Sequence, residues 1–155
     1  MSIFGKLFKR NKEVQGPKIV RVKLDTDAYM PVRAHATDAG ADIRTPVAFT
    51  VPPYGGHILC TGVHIETPEG YATMIKSKSG LNVRDGIITE GVIDRGYDGE
   101  IIVKLYNMSS VSKRFERGDK VTQLVIVPVL CAAFSKATTI YSGDRGSNGF
   151  GSTGA

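Results

Sequence analysis

An aspartate and a tyrosine lie three residues apart in the glycine-rich segment 91–100, which reads GVIDRGYDGE. A carboxylate held on a rigid bend can take a proton from water, and an aromatic ring beside it can pack against a ring-shaped ligand. Asp94 and Tyr97 are therefore candidates for a general base and a ligand contact. In the alternative interpretation, Asp94 caps a turn and Tyr97 packs on a neighbour, since such residues are common in turns.

The C-terminal segment 142–155 reads SGDRGSNGFGSTGA and cannot form a helix or a packed strand by itself. It nevertheless carries Arg145, the aromatic Phe150 and two adjacent hydroxyls, Ser152 and Thr153. Guanidinium and hydroxyl groups bind phosphate oxygens, and an aromatic face can stack on a base. A disordered tail is the alternative, because chain ends of this composition are often disordered.

Three further segments carry polar groups suited to a phosphate ligand. In DAGADI (38–43), Asp42 follows a bend of small residues and could hold the water shell of a magnesium ion. The segment 75–81 combines two lysines, two serines and a glycine. Gln123 precedes a buried-looking strand, where a polar side chain usually has a defined hydrogen-bond partner. A turn acid, a solvated basic loop and a structural hydrogen bond are the respective alternatives.

The elements that position these residues are predicted to be almost wholly β-strands. The predicted strands span 19–24, 47–51, 58–65, 71–75, 83–89, 100–106, 121–130 and 132–140. The run 121–130 is nearly continuously apolar, which predicts a strand buried on both faces, and Asp98-Gly99 predicts a chain reversal. Many short strands with regular turn signals predict a sandwich or a jelly-roll-like barrel.

The composition of the 155 residues, 41% hydrophobic and 23% charged, is that of one ordinary globular domain. No apolar run approaches the ~20 residues of a membrane span, so we expect no span and a cytoplasmic location. Cys60 and Cys131 lie in apolar strand-like runs, which predicts buried, reduced thiols. The three histidines lack the spacing of a zinc site, which we do not expect.

The net charge of +5 is concentrated in a leader, residues 1–16, whose four cations and one acid give 4 − 1 = +3. The body is left with +2, so no specific nucleic-acid partner is expected. The apolar residues of the leader could form a short membrane-surface anchor or a peptide that docks on a partner. A flexible leader is favoured, because isolated helices this short are marginally stable.

Together, the five segments resemble the ordered motifs of the trimeric deoxyuridine triphosphatase (dUTPase) family, from about Lys18 to the C-terminus. The motifs are DAGADI (38–43), KSGL (78–81), GVIDRGYDGE (91–100), RGDKVTQLV (117–125) and RGSNGFGSTG (145–154). The resemblance implies an all-β, jelly-roll-like distorted barrel that forms a homotrimer. It divides the chain into the leader, a barrel domain (17–141) and a C-terminal arm (142–155) that closes a neighbouring subunit's site.

The same resemblance implies hydrolysis of dUTP to dUMP and pyrophosphate, which keeps uracil out of DNA and supplies dUMP for thymidylate synthesis. Asp94 matches the acid that activates the water attacking the α-phosphorus. Mg²⁺ is the implied cofactor, and Asp42 matches the acid that contacts it through water, not as a direct ligand. One subunit would provide the first, second and fourth motifs of each site, a second the Asp94 segment, and a third the arm.

The remaining site residues are also carried over from the resemblance. Those that match contacts to the base and sugar are Ile88, Thr89, Glu90, Gly91, Tyr97 and Phe150. Those that match phosphate contacts are Lys78, Ser79, Gly80, Gln123, Arg145, Gly151, Ser152 and Thr153. Tyr97 would pack on the deoxyribose and exclude a 2′-hydroxyl. Two residues depart from the pattern, because many members carry arginine in place of Lys78 and glycine in place of Asn148.

Two other functions remain open at this point. Deoxycytidine triphosphate deaminases share the fold but use a glutamate on the strand after the Asp94 segment, where this chain has Lys104. A lysine cannot cycle protons as that glutamate does, which disfavours deamination. A binding role for the basic leader predicts salt-sensitive nucleic-acid binding that is lost when residues 1–16 are deleted.

Overall fold

The computed structural model describes residues 19–140 and Gly143. The leader and five predicted arm contacts (Arg145, Phe150, Gly151, Ser152 and Thr153) lie outside the described residues, as does Asn148. The described residues form eleven strands and one short helix, α1 (Ser79–Asp85). The strands are β1 (Val22–Leu24), β2 (Gly40–Arg44), β3 (Phe49–Val51), β4 (Gly56–Cys60), β5 (Val63–Ile65), β6 (Tyr71–Lys76), β7 (Ile87–Ile88), β8 (Glu90–Ile93), β9 (Ile102–Asn107), β10 (Lys113–Phe115) and β11 (Lys120–Pro128).

All strand pairs are antiparallel and fall into four small sheets, which confirms the predicted all-β class. The largest sheet has the order β2-β11-β6-β8, and the next has the order β4-β9-β7. The pairs β1-β5 and β3-β10 complete the barrel. One core joins the sheets through side chains such as Ile43, Val63, Leu105 and Leu124. Burying each of these side chains contributes about 1.5–3 kcal/mol.

The strongest strand predictions are confirmed. The predicted strand 71–75 corresponds to β6, 100–106 to β9 and 121–130 to β11. The predicted burial on both faces is wrong for most of this run. Val121 and Thr122 are both buried beside a register shift, but residues 125–127 are half-buried and 128–130 are exposed. The predicted strand 58–65 is instead divided at Thr61-Gly62 into β4 and β5, because the chain turns there with a φ of 66° at the glycine.

The prediction of a strand over 83–89 is wrong for most of its length. Residues up to Asp85 belong to α1, and only Ile87–Ile88 is a strand, paired with β9. The helix buries Leu81 and ends before Gly86, whose φ of 67° is a left-handed conformation that glycine adopts without steric cost. Gly86 is a sequence signal for a helix end, but the β-branched residues around it favour a strand over 83–89.

The predicted strand over 132–140 is also wrong. The segment forms no strand, because no described strand lies beside it to pair with its backbone, and the Phe134 side chain is fully exposed.

The predicted burial of the two thiols is wrong as well. Cys60 faces outward on β4, one position after the buried Leu59, and Cys131 lies in the exposed segment. Within residues 19–140, no helix is long and apolar enough to cross a membrane.

Candidate active site

Asp42 lies within β2, and its carboxylate is held between two lysines. Its backbone N–H donates to the Val32 carbonyl over 2.9 Å. The side chain is only 9% exposed, and Lys120 Nζ lies 2.7 Å from Oδ2 while Lys78 Nζ pairs with Oδ1. Burial raises the pKa of this carboxyl, but the two ammonium groups outweigh burial and hold it below its ordinary value. Asp42 is thus a buried anion with two counter-charges.

Gln123 lies opposite Asp42 in the register between β11 and β2. Its side-chain amide donates to the Ser77 carbonyl over 3.0 Å, which ties β11 to the end of β6. A Cβ at position 40 would lie 2.0 Å from Gln123 Oε1, so glycine leaves room for this side chain in its present conformation. The glycine of DAGADI therefore serves the glutamine of a motif more than eighty residues away.

The segment after β6 brings the predicted phosphate contacts to the same place. Lys78 is extended and its carbonyl accepts the first helical hydrogen bond, from Asn82. Ser79 and Gly80 follow in the exposed first turn of α1. The structure therefore brings Lys78, Ser79 and Gly80 beside the pair formed by Asp42 and Gln123.

The far end of α1 is fixed to the barrel by an ion pair. Asp85 Oδ2 lies 2.9 Å from Lys113 Nζ on β10, and Arg84 bonds the same carboxylate. The hydrogen bond from Arg84, together with Lys113, lowers the pKa of Asp85 to about 2. This contact anchors the helix that carries the predicted phosphate residues.

Between β7 and β8 the chain crosses from one sheet to the other at Thr89. The Ser77 hydroxyl donates to the Thr89 carbonyl over 3.0 Å and accepts from the Thr89 N–H over 2.9 Å. The Thr89 side chain is buried, yet its hydroxyl has no hydrogen-bond partner among the described residues. Glu90, the next residue, is exposed and pairs with Lys76.

Asp94 and Tyr97 stand at the two ends of a tight turn that follows β8. The Tyr97 N–H donates to the Asp94 carbonyl over 3.3 Å, and Gly96 has a φ of 93°. The tight turn therefore lies at 94–97, where Gly96 is the left-handed residue, and the predicted reversal at Asp98-Gly99 is present only as a bend at Gly99. The strands on either side, β8 and β9, belong to different sheets.

A hollow of about 270 Å³ lies beside this turn, lined by Ile75, Gly91, Asp94 and Tyr97 among others. The Asp94 carboxylate is exposed and accepts no hydrogen bond from any side chain or N–H group within residues 19–140. Tyr97 is half exposed, and its hydroxyl donates to the Glu100 carbonyl over 2.9 Å, which sets the angle of the ring. The hollow thus combines an open carboxylate, an aromatic face and backbone of β8.

Within one chain, the Asp94 carboxylate lies away from the Asp42 cluster along β8. Glu90 lies opposite Lys76 at one end of β8, whereas Ile93 lies opposite Thr73 at the other. At about 3.3 Å per residue, Asp94 is roughly 13 Å along the strand from Glu90. The hollow runs along β8 from Glu90 to Asp94, and the Asp94 carboxylate stands at the end that is far from Lys76 and Gln123.

The residues present fit a magnesium ion that arrives with a triphosphate. No cluster of three or more metal-binding side chains occurs within the described residues. Magnesium keeps several waters and commonly uses one or two carboxylates together with substrate phosphates. Asp42 is a buried anion that suits such an outer role, once Lys78 or Lys120 turns towards phosphate.

The motif geometry agrees with the comparisons with known proteins. The family model described as dUTPase matches residues 26–154. The chain belongs to the dUTPase family. It is 42% identical over 147 residues to the deoxyuridine 5′-triphosphate nucleotidohydrolase of Bifidobacterium longum subsp. infantis, covering 92% of this chain and 93% of that protein. The corresponding enzyme of Clostridium novyi is 36% identical, with 88% and 99% covered.

Solved dUTPase structures share the fold. The Staphylococcus bacteriophage 80alpha dUTPase with dUpNHpp superposes with a TM-score of 0.80 at 29% identity, covering 90% of this chain and all of that one. A variant dUTPase of phage phi11 of S. aureus, described with a structural Mg(II) ion, has a TM-score of 0.73 at 26% identity. The match covers 79% of this chain and 98% of the phage protein.

Sequence reasoning missed two residues that bear on this dUTPase site. Lys120 was available from the sequence, since a lysine at the start of a buried strand needs a nearby anion. His64 contacts the carbonyl of Asp98, 34 residues away, and no local pattern indicates that contact.

Lys104, which argued against deamination, lies with its ammonium 4.8 Å from the centre of the Tyr106 ring.

Proposed function

We propose that this dUTPase hydrolyses dUTP to dUMP and pyrophosphate with Asp94 as the base that activates the attacking water. The overall reaction is that of the family, and the roles of individual residues are the proposal. The observation that carries it is the open Asp94 carboxylate, which stands beside Tyr97 in a hollow of about 270 Å³. A carboxylate there can bind a water molecule and take its proton as the oxygen attacks the α-phosphorus.

The uracil is read by the backbone of residues 88–91, namely Ile88, Thr89, Glu90 and Gly91. Glu90 and Gly91 begin β8, which in the described residues is an edge strand paired only with β6, so its other edge offers free N–H and C=O groups. The N–H and C=O of Thr89 are both bonded to the Ser77 hydroxyl, which fixes the backbone path before that edge. Such groups can pair with a flat base and leave a wrong base with unpaired polar atoms, which is a strong filter. The Tyr97 ring packs on the deoxyribose.

The phosphates bind the cluster at Lys78, Ser79, Gly80 and Gln123, with the arm residues closing over them. Phosphoryl transfer depends on positioning and charge neutralisation more than on covalent chemistry. Lys78 supplies a point charge where arginine would supply a planar fork. A magnesium ion, held by Asp42 through water, would neutralise further charge on the triphosphate.

The active assembly is a homotrimer with shared sites. The roughly 13 Å from Glu90 to Asp94 along the chain supports this, because the Asp94 carboxylate of a neighbouring subunit can face the Asp42 cluster. The exposed course of residues 130–140 supports an arm that reaches another subunit. We further propose a cytoplasmic location, where dUTP and the product dUMP belong to the nucleotide pool.

The test measures pyrophosphate release from each deoxynucleoside triphosphate with Mg²⁺. We expect efficient turnover of dUTP alone, and a loss of about 10²–10⁴-fold in kcat for Asp94→Asn, the usual range for a missing general base. Binding of dUpNHpp should persist, because the base and phosphate contacts remain.

Asp98→Asn is the matched control, since it removes the same charge from an exposed aspartate of the same segment. We expect it to retain nearly all turnover, because the Asp98 contact to the barrel uses its backbone carbonyl. Equal losses in both variants would refute a specific role for Asp94.

A further inference from the structure

The side chain of His64 joins the catalytic turn to another part of the barrel. Its Nδ1 lies 2.9 Å from the backbone carbonyl oxygen of Asp98, and its Nε2 lies 3.0 Å from Asp25 Oδ2. The imidazole is only 16% exposed, although it lies between polar partners. It therefore bridges the end of the turn and the residue that follows β1.

Both partners of this imidazole are hydrogen-bond acceptors. A carbonyl oxygen and a carboxylate accept only, whereas a neutral imidazole has a single N–H to donate. Two hydrogen bonds therefore require the imidazolium, which donates from both nitrogens. The hydrogen bond to the Asp98 carbonyl and the one to Asp25 raise the pKa of His64 above its ordinary value, against partial opposition from burial and Lys23.

The near end of the turn is fixed by Ile93, which is buried and pairs with Thr73, and the His64 contact lies beyond that ladder. The far end of the segment is fixed by the Gly62 N–H, which donates to Glu100 Oε1 over 2.6 Å, and by the adjoining backbone pair of Ile101 with Val63. Before that point, an ion pair of 3.7 Å joins Arg95 to Glu69, but both side chains are exposed. Such pairs contribute little.

We propose that His64, as an imidazolium, is a positioning residue that holds the Asp94–Tyr97 turn in its catalytic place. The inference rests on the role proposed for Asp94. Loss of one proton leaves one N–H for two acceptors, so either the Asp98 or the Asp25 contact is given up. The turn then samples orientations in which the carboxylate no longer aims at the attacking water.

The charges around His64 come from both sides of a cleft of about 750 Å³. Asp25 and Lys23 face it from the β1 side, where Lys23 lies opposite His64 in register and 3.7 Å from Asp25. Arg95 and Asp98 face it from the turn, and Arg21 pairs with Glu66 farther along the cleft. Of these charges, Asp25 favours the imidazolium and Lys23 opposes it.

The direction of the pH dependence follows from the raised pKa of His64. The two hydrogen bonds of the His64 imidazolium, to Asp98 and to Asp25, are both formed below the ordinary histidine pKa of 6.5. One of them is lost as pH rises through the higher pKa of His64 in the folded protein. We expect kcat/KM for dUTP to fall by about tenfold across this titration, the factor for one charged hydrogen bond. Most of the fall should be in kcat, because the Asp94 carboxylate is no longer oriented towards the attacking water.

The experiment follows the imidazole by NMR and dUTP turnover by pyrophosphate release, on the full chain over the same pH range. His64→Gln can donate a hydrogen bond but does not titrate, so its kcat/KM should stay low and lack the alkaline fall. Asp25→Asn keeps an acceptor without the charge, so both the NMR titration and the fall should move to lower pH. His57→Gln is the matched control and should retain the wild-type profile, because His57 stacks on Phe49 at 4.2 Å, outside the turn.

A wild-type pH profile in His64→Gln would overturn the inference, and so would an imidazole that titrates in wild type with no change in kcat. A merely structural histidine would lower the melting temperature of His64→Gln and leave kcat unchanged at 25 °C, which also overturns it. The proposed function fails separately. Full turnover by Asp94→Asn would refute Asp94 as the general base, whereas a neutral His64 at low pH would refute the positioning role of the His64 imidazolium.

Discussion

Asp42 and Asp94 are two aspartates in opposite surroundings. Asp42 lies within a strand, is 9% exposed as a side chain and is bonded to two lysines. Asp94 lies at an exposed turn, and no described hydrogen bond involves its carboxylate. A group that binds charge benefits from a fixed site with counter-charges, whereas a group that moves a proton needs an open face for water. The difference predicts that substitution of Asp42 lowers the stability of the fold, whereas substitution of Asp94 lowers turnover alone.

The largest effect on stability should come from Asp42→Asn. Removing one partner of a fully buried ion pair costs roughly 3–5 kcal/mol, and we expect about 2 kcal/mol here because both lysines partly reach solvent. Urea unfolding and dUTP turnover should both reveal the loss. Asp94→Asn, by contrast, should lose turnover with unchanged stability, and equal urea midpoints for both variants would break the comparison.

Acid should remove the difference between wild type and Asp42→Asn. The pKa of Asp42 is held below its ordinary value, so its stabilisation is present above that value and is lost as pH falls through the lower one. Unfolding curves of the two proteins should therefore converge at acid pH. Parallel curves over the whole range would show that the charge of Asp42 does not stabilise the fold.

A smaller effect is expected from Gly40→Ala, which sharpens the comparison on its Asp42 side. The new methyl would lie 2.0 Å from Gln123 Oε1, so the glutamine must turn away and lose its bond to Ser77. We expect about tenfold lower turnover and a loss of about 1 kcal/mol in unfolding free energy. Combining Gly40→Ala with Gln123→Ala should add little to Gln123→Ala alone, and additive losses would contradict this explanation.

The smallest effect is expected from Thr89→Val, which tests the Asp94 side of the comparison. The substitution removes a buried hydroxyl that has no described partner, so the free energy of unfolding should stay equal or rise by up to about 1 kcal/mol. If the hydroxyl bonds the nucleotide, KM for dUTP should rise a few-fold. Thr89→Ser keeps the hydroxyl and should retain the wild-type KM. An unchanged KM in Thr89→Val would remove the hydroxyl from the site.

The sequence predicted the parts of this molecule that depend on local pattern. β11 follows from its many β-branched residues and β6 from a partly alternating pattern. The resemblance grouped Asp42 with Gln123, and the two lie opposite each other in register. Helix α1 was missed because its seven residues are too few for a clear 3.6-residue period. The contact of His64 with Asp98 depends on how two sheets meet, which no single segment encodes.

The open edge of β8 has a consequence for how mutation acts on this protein. Recognition of a base by main-chain groups does not depend on which side chains the strand carries, provided that the backbone path is kept. Under the proposed reading of uracil by this edge, exposed positions such as Val92 can vary without altering the choice of nucleobase. Selectivity of this kind is robust to genetic drift, and it is correspondingly difficult to redirect to a new base by single substitutions.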